Sequence, residues 1–137
     1  MQASLPQTDK WALRQCTAEA MAELCLAQLQ VSLLPFRTWR SGLGLSGPSA
    51  AADARPFASH VERGAWRLPF TPSCLVRAAA LSRMLRRRSI GHALVIAIRP
   101  QGQREGEDAL HAWVEVAGER VLGDLPGEWH ESARLEG

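Results

Sequence analysis

The sequence predicts an α+β domain in which helices come first and a small antiparallel sheet follows. Three observations carry this. Apolar residues recur at helical spacing between Trp11 and Leu34, a second helical pattern opens at Thr71 and continues to Leu85, and Ala93–Ile98 and Leu110–Val116 read as strands.

Thr8 or Asp9 can cap the first helix, whose apolar face is marked by Ala18, Ala22, Cys25, Leu29 and Leu33. It is expected to end at Leu34, because Pro35 disfavours helical geometry in the residue before it. Arg14, Glu19, Glu23 and Gln28 interrupt the stretch, so it does not read as a membrane span. Cys16 and Cys25 read as small apolar packing residues of this helix. Phe36–Leu45, with Arg37, Trp39 and Arg40, reads as a short helix or a surface segment.

Gly42–Pro56 is rich in Gly, Ser, Ala and Pro, the composition of a flexible connector. The expected organisation is a helical segment and connector over residues 1–56 and a core over 57–137, within one compact domain. Ala58–Trp66 reads as a short helix leading into the next pattern.

There, Thr71 offers an N-cap, Pro72 suits the first helical turn, and Cys74 falls within that turn. A thiol at a helix start sits at the positive end of the dipole, which favours the thiolate. Cys74, Ala78, Leu81 and Leu85 form one apolar face, widened by Leu75, Ala80 and Met84. Arg77, Arg83, Arg87 and Arg88 are expected on the outer face, Arg86–Arg88 as charge complements to the helix end, and Gly91 as the stop.

Ala93–Ile98 is a continuous apolar run, as a buried central strand requires. Pro100–Glu107 reads as a polar loop. Leu110–Val116 alternates and Arg120–Asp124 answers it across Ala117-Gly118, which predicts a hairpin. A two-residue turn there would oppose Glu119 to Val116, Arg120 to Glu115, Leu122 to Trp113, and Asp124 to His111, and a bulge that shifts this register is the alternative. The tail after Leu125 reads as irregular.

The totals bound the function. With 137 residues there is room for one domain, and a net charge of +2 does not point to nucleic acid or membrane. Three cysteines without Cys-x-x-Cys spacing argue against a disulfide scaffold or a zinc ribbon and fit reduced, cytoplasmic thiols. The polar start, Met1–Lys10, lacks a signal-peptide pattern. No His or Cys pair has metal-ligand spacing, and Gly42–Gly47 lacks the strand and the Lys-Ser/Thr of a phosphate loop, so no metal or cofactor is expected. His60, His92 and His130 read as surface or capping residues.

The chemistry therefore converges on Cys74, His111 and Asp124. A carboxylate that holds an imidazole in one tautomer frees its other nitrogen to take a proton from a thiol. The three form a candidate catalytic triad, and Trp39, Trp66 and Trp113 are candidate walls of a substrate groove.

Ser73-Cys74-Leu75-Val76-Arg77-Ala78, Leu85-Arg86-Arg87-Arg88, Leu94-Val95-Ile96 and His111-Ala112-Trp113-Val114-Glu115-Val116, with Gly118 and Asp124, resemble the transglutaminase-like leader peptidases of lasso peptide biosynthesis. Leu33-Leu34-Pro35-Phe36-Arg37 is similar to their N-terminal region. The resemblance implies a transglutaminase-like or papain-like cysteine peptidase core, with the antiparallel sheet packed on the Cys-bearing helix. It also implies Cys74 as nucleophile, His111 as base and then acid, and Asp124 as its orienting residue. The implied partners are the precursor's leader peptide, a separate leader-recognition protein and, as a further candidate, the lasso cyclase.

Overall fold

The structure, a computed structural model, describes residues 7–99, 110–123 and 129–137, with side chains from Arg14 onward. Three helices, α1 (Gln7–Leu33), α2 (Ala51–Arg67) and α3 (Cys74–Arg87), precede four strands, β1 (Ala93–Ile98), β2 (Leu110–Val116), β3 (Glu119–Leu122) and β4 (His130–Leu135). The sheet is antiparallel in the order β3-β2-β1-β4, and the fold is α+β as the sequence predicts.

Helix α3 is the centre. Val76, Ala78–Leu81, Met84 and Leu85 are all fully buried, so the apolar part of the helix is covered by α1, α2 and the sheet. Three consecutive alanines leave backbone-close surfaces on which neighbouring helices can pack. Leu94, Ala112, Val114, Val116, Leu122 and Leu135 supply the sheet's side of this core.

The expected outer face of α3 is only partly solvated, with Arg87 exposed and Arg77, Arg83 and Arg88 half-buried. Glu19 of α1 binds Arg87 at 2.5 Å and Arg88 at 2.7 Å, Glu23 binds Arg87 at 3.2 Å, and Arg83 donates to Gln30. Hydrogen bonds from Arg88 and then Arg87, against an opposing burial effect, hold the Glu19 carboxyl down at about 2, from an ordinary 4.5.

This clasp also turns α1 over relative to its sequence reading. Thr17, Ala20, Glu23, Leu24 and Ala27 face inward, whereas Ala18, Ala22, Cys25, Leu29 and Leu33 lie exposed. Cys25 is therefore not a packing residue, while Cys16 is half-buried. Burying Leu24 while two acidic side chains meet the arginines outweighs the longer but shallower apolar stripe.

Other expectations shift too. Phe36–Thr38 and Arg40–Gly42 form two short 3₁₀ turns. The supposed connector is part helix, because α2 begins at Ala51 and carries Pro56 within it, and part β-bridge, because Leu45 pairs with His92. The tail is not irregular, since β4 pairs with β1. Pro100–Glu107 lies outside the described residues.

His60 and His92 are buried instead of lying at the surface; His130 is exposed. His92 Nδ1–H donates to the Ile90 carbonyl at 2.8 Å, and its Nε2 accepts from Ser82 Oγ–H at 2.6 Å. Burial pushes its pKa down.

Helix α3 ends before Gly91. The Ile90 N–H bonds the Leu85 carbonyl and the Ser89 N–H bonds the Arg86 carbonyl, a Schellman closure that puts Ser89 in the left-handed region at φ 56°. Gly91 serves another purpose, because a Cβ there would lie 2.1 Å from the Gly47 carbonyl oxygen.

Two outcomes test these packing statements. Ser89→Gly relieves the left-handed strain and raises stability by about 0.5–1 kcal/mol, read by thermal unfolding. Glu19→Gln costs about 1–2 kcal/mol at neutral pH, discounted for the solvent around Arg87. The Glu19 contribution is complete above about pH 4.5 and is lost as pH falls towards about 2. The variant therefore shows a flatter acid limb in denaturant titrations over that range.

Candidate active site

The site grows from the start of α3. Ser73, not Thr71, is the N-cap, its Oγ accepting from the Val76 N–H at 3.3 Å, which makes Cys74 the first helical residue. The Cys74 and Leu75 N–H groups stay outside the helix ladder. Arg77, one turn along, donates through Nε to the Pro72 carbonyl at 3.1 Å and through Nη1 to Glu62 Oε2 of α2 at 3.2 Å. The approach to the cysteine is thereby tied to two helices, and Cys74 itself is half-buried.

The β2–β3 hairpin supplies the imidazole. Ala117 and Gly118 turn with φ 51° and 81°, as a two-residue hairpin turn of left-handed residues requires. The expected pairs Val116–Glu119 and Glu115–Arg120 form, but a bulge follows and Leu122 pairs with Val114 instead of Trp113. Glu115 binds Arg134 of β4 at 2.7 Å, and Arg120 lies over the Trp113 ring, 4.0 Å from its centroid.

The bulge changes what holds His111. Its Nε2 meets the Gly123 carbonyl oxygen at 2.5 Å, so Nε2 carries the proton and Nδ1 is the basic nitrogen. Gly123 has φ 81°, and a Cβ there would lie 2.9 Å from the Ala112 carbonyl oxygen. Asp124, the expected orienting residue, lies outside the described residues.

Cys74 and His111 line one cavity of about 240 Å³, together with Glu62, Pro72, Arg77, Ala112, Leu122 and Gly123. Cys74 belongs to the helix-side core, whereas His111 follows the Trp113 side of β2, its ring 6.1 Å from Trp113 and 5.4 Å from Trp129. Among the described residues no hydrogen bond joins thiol to imidazole; such contacts commonly tighten only with substrate in place.

The three tryptophans separate. Trp39 is buried in the helical core against Phe36, and Trp113 is buried under the opposite sheet face with Val95 and Ala97. Neither lines the cavity. Trp66 is 88% exposed and lines an adjoining hollow. Glu62, Arg77 and Gly123 had no sequence signal as cavity residues, because only the packing of α2 and β3 against α3 brings them there.

Among the described residues no cluster of His, Cys, Asp or Glu side chains is arranged to hold a metal ion, and no helix is long and apolar enough to cross a membrane.

The tautomer is directly testable. Imidazole ¹⁵N shifts of neutral His111 will show the proton on Nε2. Gly123→Ala, which displaces the carbonyl that holds it, will weaken that preference and cost about 1–3 kcal/mol of stability.

No curated protein and no solved structure is significantly similar to the chain. A family model described as the transglutaminase-like superfamily does match, over residues 22–135. That span runs from the middle of α1 to the end of β4 and contains Cys74, His111 and the sheet that carries the imidazole. The chain belongs to the transglutaminase-like superfamily.

Proposed function

We propose that this chain is a cysteine peptidase that removes the leader from a ribosomally made lasso peptide precursor. The carrying observation is that Cys74, at the first position of a buried helix, and His111, with Nδ1 as its basic nitrogen, line one cavity within the matched superfamily span. The superfamily commonly includes cysteine peptidases. The motif around His111-Ala112-Trp113-Val114-Glu115-Val116 supports the narrower leader-peptidase reading.

In this mechanism His111 Nδ1 takes the thiol proton and the Cys74 sulfur attacks the carbonyl joining leader to core. A C–S bond forms, the C–N bond breaks, and the imidazolium gives its proton to the departing amine of the core peptide. Water, deprotonated by the same imidazole, then hydrolyses the leader thioester. The Cys74 and Leu75 N–H groups serve as oxyanion donors. Asp124, with the Gly123 carbonyl, steadies the imidazolium.

The thiol and imidazole must close to hydrogen-bonding distance when the peptide binds. A separate recognition protein delivers the leader and a cyclase takes up the freed amine.

A second reading is a catalytically idle scaffold that binds the precursor for a partner enzyme. The placement of Cys74 on the helix-side core and of His111 on the Trp113 side of β2 favours it. The two readings separate on maturation assays with precursor and recognition protein, followed by mass spectrometry. On the peptidase reading Cys74→Ala and His111→Ala each reduce cleavage by at least about 10³-fold and Asp124→Asn reduces it less, while Cys16→Ala and Cys25→Ala leave it intact. Full maturation by Cys74→Ala would establish the scaffold instead.

A further inference from the structure

We infer that Trp129 is a positioning residue for His111, holding the imidazole so that Nδ1 faces the cavity it shares with Cys74. The inference rests on the peptidase reading and adds to it a side chain that does not itself line that cavity.

A histidine side chain turns about two bonds, and rotation about the second has a broad, roughly two-fold profile. The hydrogen bond from Nε2–H to the Gly123 carbonyl fixes one corner of the His111 ring. It leaves the ring plane free to rock about that corner. The plane matters because Cys74 packs with the helix-side core, whereas His111 lies on the Trp113 side of β2. The two groups can meet only while the ring presents Nδ1 to the cavity, and a flipped ring presents a carbon atom there.

Trp129 supplies the second constraint. Its ring centroid lies 5.4 Å from that of His111 with the planes 34° apart, nearer than Trp113 at 6.1 Å. At such separations aromatic rings attract one another and restrict each other's tilt. The indole is itself held, because it packs with the Val95, Ala97 and Trp113 cluster and the Arg99 guanidinium lies 4.3 Å from its centroid. Topology points the same way. The chain leaves the imidazole at Gly123 and returns to it at Trp129, so both ends of the segment that contains Asp124 converge on one ring. Trp113 stands on the same strand as His111, whereas Trp129 comes from beyond the hairpin, so two separate parts of the chain brace the imidazole.

The test compares full-length wild-type protein with Trp129→Ala, Trp129→Leu and Trp129→Phe. Cleavage kinetics use the precursor with its recognition protein, and ¹⁵N shifts of neutral His111 report the tautomer. In Trp129→Ala, kcat is expected to fall about 10–100-fold while KM changes less than about twofold, and the Nδ1–H form rises to a measurable fraction. Trp129→Leu, which still covers Val95 and Ala97, shows both changes, so the result does not depend on the Ala variant staying folded. Trp129→Phe restores kcat to within about threefold and returns the wild-type tautomer. An unchanged tautomer in both the Ala and the Leu variant, a loss confined to KM, or a Phe variant as impaired as the Ala one overturns the inference. Should the wild-type protein cleave nothing, the peptidase reading falls, and the ¹⁵N comparison alone decides whether Trp129 holds the ring.

Discussion

Everything in this fold depends on burying the apolar part of α3 between α1, α2 and the sheet. Its run of Ala78, Ala79 and Ala80 and its large residues Leu81, Met84 and Leu85 are fully removed from water, and the neighbouring elements are the surfaces that do it. A helix enclosed in this way cannot shift along its axis without opening voids among close-packed side chains. Its first residue is therefore held at a fixed place relative to the sheet. A reactive cysteine gains from that arrangement, because rigid elements position groups more closely than loops do.

The clasp between α1 and α3 shows how charge settles a choice that apolar periodicity leaves open. Glu19 and Glu23 meet Arg87 and Arg88, and the lowered Glu19 pKa reflects how strongly the folded state favours the carboxylate. The arginine-rich helix end is thereby engaged by acidic side chains of its own chain. Its charges secure a helix–helix contact.

At the site, a single bulge in β3 decides which group faces the imidazole. Without it, Leu122 would oppose Trp113 and the next positions would fall in simple register; with it, the Gly123 carbonyl reaches His111 Nε2. A neutral carbonyl fixes the tautomer as well as a carboxylate does, but it stabilises the imidazolium less, because it carries no net charge. The arrangement thus sets Nδ1 as the basic nitrogen through the backbone, from a glycine whose left-handed geometry suits few other residues.

The chain's own letters determined the α+β class, the extents of β1 and β2, the hairpin turn at Ala117-Gly118 and the cysteine at a helix start, because caps, turns and periodicity are local physics. They also carried the likeness through which Cys74 and His111 stood out. Tertiary structure alone decided which face of α1 turns inward, since two faces were similarly apolar and the acidic residues broke the tie. It also decided that residues 130–135 become a strand, which required the edge of β1 to pair with, and that Glu62, Arg77 and Gly123 join the cavity of Cys74. These last choices depend on contacts between residues far apart in sequence, whose energies no local pattern contains.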